Sequence, residues 1–202
     1  PNLSIPQPGV RRASGFLVPE FSTSNTLGVT AKVPYYFALN DHSDATLTPF
    51  VSAKGSFILE GEYRRRTKTG AYRLSGALAL ADQLNFSGLS AYVEGAGQFN
   101  LPNDYQLEFG IDIANSVDLA GGEKSFKENF GYSDDDRLKN HLRISKTTPD
   151  SFFQIGTSFT QSFRFKNFDG DLAGTKEADP NVPIILPEFI FRKNFHSELL
   201  GG

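Results

Sequence analysis

The 202-residue chain has no cysteine, no methionine and no tryptophan, and only three histidines. Without cysteine, neither a disulfide framework nor a thiolate metal site can form within it. No apolar run approaches the roughly 20 residues that a membrane-spanning helix requires. That absence leaves barrels open, because they cross a membrane with short alternating strands. No secretory leader is read in the first residues, and the start at Pro1 reads as a cut end, of a mature form or of a fragment. Charge of one sign is scarce as well: Lys+Arg 20 against Asp+Glu 23 leaves a net charge of -3. The basic runs Arg11-Arg12 and Arg64-Arg65-Arg66 are short, which argues against nucleic acid as a partner and leaves room only for a local basic patch.

What the chain does have is alternation with period two, renewed after nearly every turn signal. From Tyr105 the phases separate cleanly: Tyr105, Leu107, Phe109, Ile111 and Ile113 against Gln106, Glu108, Gly110, Asp112 and Ala114. Tyr72, Leu74, Leu78 and Leu80 oppose Ala71, Arg73, Ser75, Ala77 and Ala79 in the same way, as do Phe153, Ile155, Phe159, Phe163 and Phe165 against Gln154, Gly156, Ser158, Thr160 and Arg164. About ten strands are expected, beginning near residues 14, 27, 45, 55, 70, 87, 104, 135, 151 and 183. Helical spacing has little support beyond a short turn around Lys124 to Asn129. The expected fold is therefore all-β, an antiparallel up-and-down meander.

Its connections differ in kind. "NDHSD", "TKTG", "NLPND" and "TTPD" are tight, whereas "DLAGGEKSFKENFGYSD" and "KNFDGDLAGTKEADPNVP" are long. In an up-and-down sheet every second connection lies at the same end, and both long ones fall at odd positions. Long loops at one end and short turns at the other is the asymmetry of outer-membrane barrels. The two-faced strands fit such a barrel, with lipid on one side and a watery lumen on the other, and they also fit a soluble sheet covering a core.

Candidate chemistry is sparse. His42, His141 and His196 are far apart in sequence and read as surface histidines. Asp134-Asp135-Asp136 and Asp169-Gly170-Asp171 offer oxygens to calcium but lack the spacing of a calcium loop. Glu60 with Glu62, and Glu108 with Asp112, put carboxylates on one strand face, as a glycosidase could use, but no aromatic or acid partner marks a site and a polar lumen or solvent face is the better account. No phosphate cradle or nucleophile motif is present. No enzyme and no cofactor are expected.

Two prolines interrupt the first strands: Pro19 in "SGFLVPEF" and Pro34 in "KVPYYF". Proline donates nothing to a strand ladder. "RRASGFLVPEF" followed by "VPYYFALNDHSDATLTPFVSAKGSFILEGEYR" resembles the start of the barrel domain of the LptD family, the outer-membrane lipopolysaccharide-assembly proteins. "GYSDDDRLKNHLRIS", "PIILPEF" and "LLGG" are similar to later barrel segments of that family.

The resemblance implies part of a transmembrane β-barrel in the outer membrane of a Gram-negative bacterium, with residues 1–13 as a linker from a periplasmic domain and residues 14–202 as a partial barrel domain. It implies lipopolysaccharide as cargo, an LptE-like lipoprotein plug and a periplasmic LptA-like bridge as partners, and release of the lipid through a lateral gate weakened by Pro19 and Pro34. The cysteines by which some members join their two domains have no counterpart here. Alternatives are a passive porin-like barrel, a soluble all-β binding module and, for the prolines alone, the marking of edge strands.

Overall fold

The computed structural model describes residues 12–24, 27–55, 57–80, 89–119, 122–133, 135, 137–162 and 185–194. In chain order the elements are β1 (Gly15–Phe16), β2 (Glu20–Ser24), β3 (Gly28–Lys32), β4 (Tyr35–Asn40), β5 (Ser43–Ser52), β6 (Phe57–Arg66), β7 (Gly70–Leu80) and β8 (Leu89–Leu101). They continue with β9 (Tyr105–Ala114), β10 (Ser116–Leu119), β11 (Gly122–Ser125), a single helical turn α1 (Phe126–Asn129), β12 (Arg137–Thr147), β13 (Ser151–Ser162) and β14 (Ile185–Lys193). Every pairing is antiparallel, and the main sheet runs β1–β4–β5–β6–β7–β8–β9–β12–β13–β14, with β3 pairing both β2 and β5. β1 with β2 forms one interrupted outer strand and β3 with β4 the next, so the sheet has the ten expected rungs. The sheet is not closed, and β1/β2 and β14 are its edges.

The tight turns share one end, and their chemistry explains them. Thr67 Oγ1 accepts from the amide of Gly70 at 3.1 Å, and Thr148 Oγ1 repeats the bond from Ser151 at 3.0 Å. Between β8 and β9, Asn103 and Asp104 both take positive φ, a conformation that short polar side chains tolerate. The β10–β11 hairpin and α1 belong to the long connection at the other end. The second long connection, Phe163 and Phe165, His196, Asp169-Gly170-Asp171 and the final "LLGG" lie outside the described residues, as does most of the 1–13 segment.

The two faces are inverted relative to a water-soluble sheet. The apolar phase remains exposed along the whole meander: Leu47, Val51, Leu78, Val93, Ile111, Leu142, Ile155 and Phe189 all stand open on it. Burial occurs on the polar phase instead, where α1 folds back over β6 to β9 and Phe126 is fully enclosed. Ala77, Ala79 and Ala114 are small there and leave room for it. Tyr92 and Tyr132 complete an aromatic cluster, with the Tyr92 and Tyr132 rings 4.9 Å apart and Phe126 and Phe130 4.6 Å apart.

No helix among the described residues is long and apolar enough to cross a membrane.

Candidate functional site

The first two rungs carry the irregularity that the sequence signals. Below the break Gly15 pairs with Tyr36 and Phe16 with Tyr35; above it Glu20 pairs with Lys32. Between these pairs three residues, Leu17 to Pro19, face two, Val33 and Pro34. Both prolines thus stand in the same gap. An antiparallel residue points its N–H and C=O to the same side. Leu17 donates to the Pro34 carbonyl at 2.9 Å, so the Pro34 nitrogen also faces Leu17, and the return bond is missing.

A third proline extends the line. Lys32 pairs with Phe50 and Tyr35 with Leu47, so β5 runs unbroken past the gap. Val33 donates to the Pro49 carbonyl at 3.2 Å, and the return bond is missing there for the same reason. Sequence reading did not single out Pro49, although it follows Pro34 by the same fifteen residues that separate Pro34 from Pro19. Edge position does not account for Pro34, because its rung has neighbours on both sides.

The seam is pinned on the turn side of the gap. Arg12 donates to the Tyr36 hydroxyl, to the Asn40 carbonyl at 3.1 Å and to Asp44. The bond to Tyr36, joined by the one to Asp44, outweighs the cost of desolvation and raises its pKa. Phe16 meets Tyr35 edge-on at 4.9 Å, and Tyr35 meets Phe37 at 4.6 Å. On the other side of the gap, the β2–β3 hairpin is held by five register pairs to itself but by only three to β5. Ser22 and Thr30 join its arms through a hydroxyl bond of 2.6 Å.

On the inward face the predicted carboxylates are all engaged. Lys32 binds Glu60 at 2.6 Å, and Tyr132 donates to the same oxygen. Arg73 binds Glu62 at 2.8 Å, and His141 lies 3.2 Å from Glu108. Lys127, carried inward by α1, binds both Asp112 and Glu94 at 3.0 Å. Burial opposes its charge, but the bonds from Asp112 and Glu94 prevail and raise its pKa. Burial, followed by the Glu60 bond, pushes the Tyr132 hydroxyl far up. The glycosidase reading loses its free acids in this network. Among the described residues no group of His, Asp and Glu could hold a metal ion.

The helical turn expected around Lys124 to Asn129 is present as α1, but its folding back as a lid was not read, because the segment has neither strand alternation nor a helical stripe to show which face it buries. The available signal was Phe126, Phe130 and Tyr132 in a polar connection, opposite strands with alanine on their inward phase.

Apolar outside, charged and polar inside, with short turns at one end: these features define the transmembrane β-barrel class. A family model described as "LptD protein" matches residues 1–191. The chain belongs to the LptD family. It is similar to the LPS-assembly protein LptD of Pseudomonas entomophila (strain L48), 48% identical over 67 residues, which is 33% of this chain and 7% of that protein. It is also similar to that of Pseudomonas putida (strain GB-1), 46% identical over 67 residues, 33% of this chain and 7% of that protein. The LPS-assembly protein LptD of Pseudomonas aeruginosa (strain UCBPP-PA14) is 36% identical over 98 residues, 48% of this chain and 11% of that protein. The chain therefore matches only a small part of the length of these relatives.

Proposed function

We propose that this chain is the first part of an outer-membrane translocon barrel that receives lipopolysaccharide from the periplasm and inserts it into the outer leaflet through a lateral gate. Family membership supports a role in lipopolysaccharide assembly. The gate rests on one observation: the shared gap at Pro19 and Pro34, where a ladder bond cannot form and the hairpin beyond is weakly tied. A ladder bond is worth about 0.5–1.5 kcal/mol net in water, and more where water cannot replace it. Omitting one lowers the cost of parting the strands.

In this reading residues 1–13 lead from a periplasmic domain that contacts an LptA-like bridge, and residues 14–202 form part of the barrel. An LptE-like lipoprotein occupies the lumen of the complete barrel. The exposed apolar phase faces hydrocarbon in the outer membrane of a Gram-negative cell. The function is transport and assembly rather than catalysis.

The test is to replace Pro19 and Pro34 by alanine in the full-length parent protein and to measure lipopolysaccharide arrival at the cell surface. The gate reading expects delivery to fall while barrel levels hold. Unchanged delivery would remove the gating role. A parent that stays dispersed without detergent would remove the membrane reading altogether.

A further inference from the structure

At the turn end of the inward face, beside the Arg12 pin of the seam and away from the lid, lies a cavity of about 570 Å³. Arg12, Arg64, Arg66, Arg73 and His42 line it, with Asp44. Its charges are ordered. Asp44 holds Arg12 and, at 2.7 Å, the Nε of Arg64; Glu62 holds Arg64 at 3.3 Å and Arg73 Nη2 at 2.8 Å. The result is a chain of alternating charge that begins and ends on arginine.

Two carboxylates thus fix three guanidiniums by part of their donor edges. The terminal nitrogens of Arg64 and the remaining nitrogens of Arg73 keep unused N–H groups, and both side chains are more than half exposed. Arg66 adds a further cation: its amide donates to the His42 carbonyl at 2.7 Å, and its side chain has no acidic partner among the described residues. Farther along the same face the balance reverses, with Glu60, Glu94 and Asp112 against Lys32 and Lys127. A preorganised guanidinium cluster with open forks is the chemistry that recognises phosphoryl oxygens. The cavity volume falls in the range of small-ligand sites.

We propose that this cavity binds a phosphoryl anion at the turn end of the barrel, with Arg64, Arg66 and Arg73 as its donors and Asp44 and Glu62 as positioning residues. The phosphate arrives on a glycolipid headgroup or as a free anion. The glycolipid source rests on the transport reading above.

The experiment places a photo-crosslinking residue at Ala71, which lines the cavity, and separately at Thr46, which is inward on β5 farther from the turns, in the full-length parent complex. Lipopolysaccharide with its lipid phosphates intact or removed is the probe. Capture at Ala71 is expected to need the phosphates and to fall roughly tenfold for each of Arg66→Ala and Arg73→Gln, in line with the loss of one charge-assisted bond. Arg73→Lys should retain part of it, and capture at Thr46 should persist throughout. Equal capture of both lipids at Ala71, or capture indifferent to the arginines, overturns the site while leaving transport intact.

In a second arm inorganic phosphate is titrated into the same purified complex. If no lipid is captured at either position, the transport reading and the lipid source both fail. Phosphate binding that Arg66→Ala and Arg73→Gln abolish then assigns the site to a free anion. Absence of binding in both arms overturns it.

Discussion

The β2–β3 hairpin and the β7–β8 hairpin are built from the same alternating pattern, yet they are tied to the sheet very differently. β7 and β8 share eleven consecutive register pairs and continue into β6 and β9 with ten pairs on each side. β2–β3 has five pairs of its own and three to β5, and it stops at the proline gap. Backing differs too. The α1 lid packs its aromatic cluster over the inward side of β7 and β8, through Ala77, Ala79 and Tyr92. A meander can therefore be graded in stiffness along its own order, by omitted donors at one edge and by a folded-in loop at the middle. Side-chain hydrophobicity need not change at all.

Covalent locking should break the contrast most completely. Ala31 and Val51 are register partners between β3 and β5, as are Leu78 and Ala91 between β7 and β8. An Ala31→Cys, Val51→Cys pair in the full-length parent is expected to abolish surface delivery of lipopolysaccharide until it is reduced. The Leu78→Cys, Ala91→Cys pair should leave delivery unchanged. Inhibition by the second pair as strong as by the first would contradict a gate confined to the proline side.

Removing the lid weakens the stiff region selectively. Phe126→Ala empties a fully enclosed site and should cost about 3–5 kcal/mol. Protease cutting within residues 122–133 is the readout, and it should accelerate without any change of amide exchange in β2 or β3. Coupled changes in both regions would show that the two are one cooperative unit.

The smallest effect sharpens the contrast from the other side. Pro34→Ala restores one donor, which is worth about 1 kcal/mol. Amide exchange at Leu17 should slow by roughly fivefold, with β7 and β8 unaltered. Exchange at Leu17 that stays as fast as in the parent would mean that the gap is held open by something other than the missing bond.

Much of this was legible in the amino acids. Period-two alternation located all ten rungs within a few residues, because strands two-faced between unlike environments must alternate, and the phases at Tyr105–Ile113 and Tyr72–Leu78 fall outward as read. The single turn of helix also lies within Lys124 to Asn129. Cross-strand facts were not legible. Register decides that Pro19 and Pro34 share one gap and that Pro49 continues it, and register depends on pairs such as Phe16 with Tyr35 that no local pattern specifies. The arginine chain is likewise assembled from three separate stretches, Arg12, Arg64 and Arg73, which meet only when β4 to β7 are laid side by side. That the helical turn packs inward as a lid escaped, because its aromatics obey no strand period.

The level at which the three prolines stand also restricts how this stretch can vary over time. Neighbouring antiparallel strands are read in opposite directions, so Pro34 stays beside Pro19, and Pro49 beside Val33, only while the residues between them divide evenly around each hairpin tip. One residue added to or lost from an arm of β2, β3 or β5 would move a proline off the line and turn the arm's apolar phase inward. Insertions and deletions in related chains should therefore collect at the hairpin tips, where they change the interval between successive prolines without moving any of them off the line, so that the shared level should outlast the spacing of fifteen residues itself.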